Sequence, residues 1–251
     1  MKILSLLKQV PDPNAVRFDA GGRLAPNTAR AVNEYDEYGL EAALKLKEAR
    51  GDSVHITVLS IGPATAKDAV SRGLAMGADT GMLVTTDEVP GSLQTARAIA
   101  AIAERESFDL IWAGQESSDS GTGNVGPQLA ALLNIPFVSN VVGFELDDSN
   151  VATITREIED GHAQVRASLP LILCALSGLD EPRYPSMRGI VAARRKPVEE
   201  LALSDLVSGD SGVRWSELRE EDRTVQGTII EAEPDEAARQ LVAMLRERDL
   251  L

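Results

Sequence analysis

Four short apolar runs in the first half of the chain alternate with single helix-length segments, and this alternation constrains the fold more than any other feature. The runs are residues 2–7, 54–59, 81–85 and 108–113. Between the first two, Leu40, Ala43, Leu44 and Leu46 follow helical spacing over residues 37–49. A second helical segment starts at the Pro63 turn and runs to Ala75 or Met76, and a third, rich in Ala and Ile, covers residues 92–106. Gly51-Asp52 and Gly77-Ala78-Asp79 supply the stops. One helix between successive strands requires crossover connections, which make the sheet parallel and cover both its faces. The expected fold class is therefore α/β, a doubly wound parallel sheet. Ligands of such sheets sit outside the carboxyl ends of the strands, where the strand order reverses. The loops at residues 8–13, 60–63, 86–90 and 114–125 should thus converge on one edge.

Past Ile135-Pro136 the rhythm changes. Residues 137–145, 151–157 and 163–169 are extended runs separated by polar turns, which predicts antiparallel hairpins added to the sheet. Residues 171–176 form another buried strand. Pro11 and Pro13 are expected to forbid regular structure after the first strand, and residues 18–23 read as the turn of a small hairpin. From Glu181 the chain becomes irregular and basic. Residues 197–210 show no long period, residues 211–233 are a polar connection, and residues 234–248 form a last amphipathic helix.

The loop after the fourth run carries the chemistry. Leu110-Ile111-Trp112-Ala113 stops at Gly114, a stretch of Gly, Ser, Thr and Asp follows, and a helical pattern begins at Leu129. Small side chains let a ligand reach backbone N–H groups, and a helix start adds unpaired donors and a positive dipole end. Ser117, Ser118, Asp119, Ser120 and Thr122 crowd hydroxyls and a carboxylate beside that start. Gly121-Thr122-Gly123-Asn124-Val125-Gly126 satisfies G-x-G-x-x-G. It follows the fourth strand rather than the first, however, and no acidic strand end follows about twenty residues on, so the dinucleotide fingerprint is rejected. No Gly-Lys-Ser/Thr is present, which excludes a Walker A loop. Lys8 is the cation expected nearest the site. The loops hold no acid–base pair or nucleophile for hydrolysis or group transfer, so no catalytic residue is assigned.

Composition narrows the class. A formal charge of −14 argues against nucleic acid as a partner. With 4% aromatic residues the core must be built from Leu, Ile, Val and Ala. The single cysteine, Cys174, lies in an apolar run, so it reads as a buried small hydrophobe in a reducing compartment. His55 sits in a strand pattern and His162 in a Gly-His turn, without zinc-ligand spacing. No segment approaches the ~18 apolar residues of a membrane span. The start lacks the features of a signal peptide, and a cytoplasmic location is expected.

Arg183 to Lys196, RYPSMRGIVAARRK, places five cations in this acidic chain, with Met187 flanked by polar residues. A flexible apolar side chain in a basic setting suits a protein-binding surface. The run Leu179-Asp180-Glu181-Pro182-Arg183-Tyr184-Pro185-Ser186-Met187-Arg188-Gly189-Ile190 resembles the signature of the electron-transfer flavoprotein small (beta) subunit. Lys8-Gln9-Val10-Pro11-Asp12, Asn33-Glu34-Tyr35-Asp36-Glu37-Tyr38, Gly73-Leu74-Ala75-Met76-Gly77-Ala78-Asp79 and the glycine loop agree with it. The resemblance covers about residues 2 to 205.

The resemblance implies an adenine-nucleotide-binding α/β domain over residues 1–180. It also implies a recognition loop and extended C-terminal arm over residues 181–251, wrapping a large (alpha) subunit that holds the electron-carrying FAD. Nucleotide contacts carried onto this chain are Leu6, Lys8, Asn33, Glu34, Tyr35, Asp36, Ile61, Gly114, Gln115, Glu116, Ser117, Ser118, Asp119, Ser120, Gly121, Thr122, Gly123, Asn124 and Val125. Partner-binding residues are Tyr184, Pro185, Met187, Arg188 and Ile190, against an acyl-CoA-type or other flavin dehydrogenase. In many members the small subunit binds AMP. In electron-bifurcating members a second FAD replaces it and takes hydride from NADH. Asp119, Thr122 and Val125-Gly126-Pro127-Gln128 resemble the D-x-x-T-x-x-V-G-P-Q form of bifurcating and related subunits, which favours FAD over AMP. The competing readings are a stand-alone ATP-binding or adenylating domain, which would need a phosphate loop near the first strand, and an interaction protein whose sheet binds nothing.

Overall fold

The first strand, β1 (Lys2–Leu6), lies mid-sheet and organises the other strands around it in the computed structural model, which describes residues 1–209, 212–213, 219–220 and 227–251. Two short strands, β2 (Gln9–Pro11) and β3 (Arg30–Val32), pair with each other and lead into α1 (Glu34–Arg50). Then come β4 (His55–Gly62), α2 (Lys67–Met76), β5 (Thr80–Thr85), α3 (Ser92–Glu106), β6 (Leu110–Gly114) and α4 (Val125–Leu133). The meander β7 (Phe137–Leu146), β8 (Val151–Ile158) and β9 (Gly161–Ser168) precedes β10 (Leu171–Ala175), α5 (Met187–Ala193), β11 (Val198–Ala202) and the single turn α6 (Leu203–Leu206). The chain divides into two units, Met1–Leu218 and Arg219–Leu251. The second contains α7 (Pro234–Glu247), whose Pro234 opens the helix and whose Leu241 is half exposed.

The main sheet runs β11-β5-β4-β1-β6-β10-β7-β8-β9. From β11 to β7 every pairing is parallel, and β7-β8-β9 are antiparallel. The fold is the doubly wound α/β sheet with added hairpins that the alternation predicts. The order reverses between β1 and β6: the chain first builds outward through β4 and β5, then returns to the other side of β1. Ligands of such sheets sit outside the carboxyl ends of the strands at the reversal, here β1 and β6.

Central strands are apolar on both faces because helices cover both. Ile3, Ile56, Val58, Trp112, Leu171 and Leu173 face α1 and α2, with Leu40, Leu44 and Leu74 against them. Leu4, Leu59, Val84, Ile111, Ile172 and Cys174 face α3 and α4, with Ile99, Ile102 and Leu129. Each such side chain contributes about 1.5–3 kcal/mol by leaving water. Trp112 packs edge-on to Phe144 at 5.3 Å. It fits because α1 has Gly39 above it, where a Cβ would meet the Trp112 Cβ at 3.2 Å.

Several local readings are corrected. Regular structure does continue after β1: β2 ends on Pro11, and an edge strand tolerates a missing donor there. Helix α1 starts at Glu34 rather than residue 37, its first turn carrying Glu34, Asp36 and Glu37 at the positive dipole end. Ser60, Ile61 and Gly62 belong to β4, so the turn begins at Pro63. Helix α4 begins at Val125, and Pro127 in its first turn removes an N–H that would have no helical acceptor. His162 is the second residue of β9 instead of sitting in a turn. Elements α5 and β11 stand where the sequence shows no periodicity. Residues 18–23 do form a tight turn, closed by the Phe18–Leu24 bridge. Residues 211, 214–218 and 221–226 of the polar connection lie outside the described residues. Among those described, no helix is long and apolar enough to cross a membrane, and no three metal-ligating side chains gather.

Candidate nucleotide site

Asp36 is the hinge pin of the site. It stands in the first turn of α1, buried, with its carboxylate turned to backbone donors on both sides of the strand reversal. The Lys8 amide, just past β1, donates to Oδ2 at 2.7 Å, and the Gly114 amide, ending β6, donates to Oδ1 at 2.8 Å. Gly114 has to lack a side chain: a Cβ there would collide with Asp36 Oδ1 and lie 2.9 Å from the Tyr35 Cβ. Burial pushes the Asp36 carboxyl up to about 6, against the pull of the Lys8, Asn33 and Gly114 donors.

Asn33 makes the second tie. Its amide Nδ2 donates to the Glu116 carbonyl at 2.8 Å, and its Oδ1 accepts from the Ser118 amide at 3.1 Å. Its own N–H donates to the Lys8 carbonyl at 2.8 Å. Lys8 then reaches over the loop: Nζ donates to Ser117 Oγ at 3.0 Å and to Asp119 Oδ1 at 2.7 Å. Ser117 and Ser120 hydroxyls bond at 2.7 Å. From below, Gln115 donates its amide to the Ala175 carbonyl at 2.8 Å, and its Oε1 accepts from the Asn140 amide at 2.8 Å.

The loop then turns upward. Gly121 and Gly123 take φ of +58° and +60°, the left-handed region that glycine enters without strain. Among the described residues, no acceptor meets the backbone N–H groups of Thr122, Gly123, Asn124, Val125 or Gly126. These five consecutive donors at a helix start, with the Lys8 ammonium at the loop, are groups that could hold a phosphate or pyrophosphate. Leu6 belongs to the apolar cluster on the α3/α4 side, and Ile61 and Val125 pack against it half-buried.

A model of the electron transfer flavoprotein domain matches residues 22–206. The chain belongs to the electron transfer flavoprotein family. It is similar to the electron transfer flavoprotein subunit beta of Bacillus subtilis (strain 168), 32% identical with 98% of each chain covered. It is also similar to the subunit beta of Megasphaera elsdenii, 35% identical over 86% of this chain and 83% of that one. The mitochondrial subunit beta of Arabidopsis thaliana is 34% identical, with 92% and 93% covered.

For this flavoprotein-family chain the structure brings Lys8, Asn33, Asp36 and residues 114–120 into one bonded cluster. It leaves Glu116, Ser118, Gly121, Thr122 and Asn124 exposed along its rim. Glu34 turns aside to accept from the Tyr38 hydroxyl at 3.4 Å. Tyr184, Pro185, Met187, Arg188 and Ile190 stand elsewhere, at the start of α5 over α2. Two residues that hold the loop escape the sequence reading: Ala175, through its carbonyl, and Asn140, at φ +56° where β7 shifts register against β10. A polar Ser139-Asn140 pair inside an apolar run is the available signal for the latter.

Proposed function

We propose that this chain is the small subunit of a heterodimeric electron transfer flavoprotein, that it binds FAD at the residue 114–125 loop, and that it passes electrons to the FAD of a large subunit. The row of free N–H donors from Thr122 to Gly126 carries this reading, because a pyrophosphate has enough acceptors to use them. Leu6, Lys8, Asn33, Tyr35, Asp36 and Ile61 complete the wall around it. When bound there, FAD would accept hydride from NADH. The protein's own contribution is orientation, a matched donor set and exclusion of water. The D-x-x-T-x-x-V-G-P-Q pattern of the loop supports FAD over AMP. The segment from Tyr184 to Ile190 docks an electron-donating or -accepting dehydrogenase, supported by its two highly exposed apolar side chains: Tyr184 is 88% and Met187 78% exposed.

The test is to purify the heterodimer, denature it and count what it releases. Two FAD per pair are expected. One FAD with one AMP overturns the FAD assignment in this subunit, and no nucleotide beyond the large subunit's FAD overturns the site itself. Gly123→Val should strip the small-subunit nucleotide alone, since its side chain would enter the Gln115 carbonyl, 3.3 Å from a Cβ there, in a left-handed backbone.

A further inference from the structure

The Tyr184–Ile190 segment is exposed, yet it is tied down on every side that does not face solvent. Its entry is fixed by Arg183. The Arg183 guanidinium meets the Glu41 carboxylate of α1 through Nε at 2.8 Å and Nη2 at 2.7 Å, and the Arg183 backbone N–H donates to the same carboxylate at 3.2 Å. Glu41 is only 3% exposed, Arg183 stays half-buried, and Nη1 adds the exposed Glu48. Tyr184 lies with the Arg72 guanidinium 5.6 Å from its ring, while Arg72 Nε is held by Glu37 at 2.7 Å.

The middle of the segment is fixed by backbone contact. Ser186 caps α5, its Oγ accepting from the Gly189 amide at 3.0 Å. Gly189 then rests on the Ala75 carbonyl of α2 so closely that any Cβ there would collide with it. The exit is fixed by Lys196, whose Nζ donates to the Leu74 carbonyl at 2.9 Å and to the Ala78 carbonyl, two residues past α2. The Leu74 carbonyl lies in the last turn of α2, at its negative dipole end.

We infer that Glu41, Gly189 and Lys196 are positioning residues for partner docking: they hold α5 in its binding-competent place before a partner arrives, so the partner meets a rigid surface. The inference rests on the docking role proposed for this segment. A preorganised surface binds without first ordering itself, which strengthens association with no added contact. Helix α1 also sets the segment's position relative to the nucleotide loop, since Asp36 and Glu41 stand about 8 Å apart along it.

Gly189→Ala separates position from propensity. Alanine favours helix over glycine, so a segment that folded only on binding would dock better with it. A prepositioned segment would be pushed off α2 and dock worse. The heterodimer is titrated against a medium-chain acyl-CoA dehydrogenase reduced by its acyl-CoA, with Met187→Ala as the contact-loss control. Gly189→Ala and Glu41→Gln are expected to raise KM for the carrier roughly fivefold to tenfold, with kcat and flavin content unchanged. An unchanged KM in Gly189→Ala, beside a raised KM in Met187→Ala, overturns the inference alone. Transfer that never saturates, or that ignores Met187→Ala, overturns the docking reading beneath it. Hydrogen exchange of the free heterodimer gives a partner-independent check. The Gly189 and Ile190 amides should be protected in the wild type and exposed in Gly189→Ala, and random-coil exchange in the wild type overturns the inference.

Discussion

At the scale of single residues, two buried groups make predictions of opposite kinds. The Asp36 carboxyl titrates near 6 when folded, against an ordinary value of 3.8. Between those values the folded chain holds a proton that the unfolded chain has lost, so this group's contribution falls as pH rises through the window and is level above it. The span corresponds to about 3 kcal/mol. Urea midpoints of wild type and Asp36→Asn, compared from pH 4 to 6.5, should converge as pH rises. The variant lacks the titration and starts lower, because its amide turns an N–H toward one of two backbone donors. A constant gap between the two curves would refute this. Cys174 is the inert case: burial lifts its thiol to about 12, and Gly126 closes over it with a Cβ position only 2.5 Å from Sγ. A disulfide reagent should label it no faster than the protein unfolds globally.

At the scale of elements, the same closeness governs α4. Gly126→Ala adds helix propensity but overpacks Cys174 and Phe137, the latter 3.0 Å from the new Cβ. Overpacking typically costs about 1–3 kcal/mol. The start of α4 should lift, with a lower melting temperature and loss of small-subunit nucleotide; full nucleotide retention would speak against the cradle described. The elements that position this site were legible in the sequence because each long one shows its period: α3 matches its reading residue for residue, and the β7-β8-β9 meander announces itself through Asp-rich turns. Helix α5 and β11 were not. Helix α5 has seven residues, too few to display a period. Strand β11 is as long as β1, β6 and β10 but lacks their continuous apolar run, because Glu199 and Glu200 put one exposed carboxylate on each of its faces. The glycine loop was legible as a place for a phosphate. Its supports were not, because the Ala175 carbonyl and the Asn140 amide are backbone groups that any residue could supply.

At the scale of the whole molecule, an acidic chain carries a basic segment at residues 183–196. Of the five cations from Arg183 to Lys196, Arg183 and Lys196 are spent inside the fold. Arg188, Arg194 and Arg195 are exposed and form no ion pair among the described residues. Composition shows five charges here, and only the structure divides them into pins and a solvent-facing set. Those three should steer an acidic docking partner, so association should weaken as ionic strength rises past the point where the screening length is about 10 Å. Stopped-flow association at 20 and 200 mM salt would show it, and a salt-independent rate would refute it. The glycine loop has a consequence of another kind, for the order of synthesis. It is braced by Lys8 at the beginning of the chain, by Asn33 and Asp36 in α1, by Asn140 in β7 and by Ala175 in β10. A ribosome must therefore deliver some 175 residues before the loop has all its braces. On the proposed reading, nucleotide capture would mark a sheet that has closed around β1, a completion signal that no chain shorter than this could give.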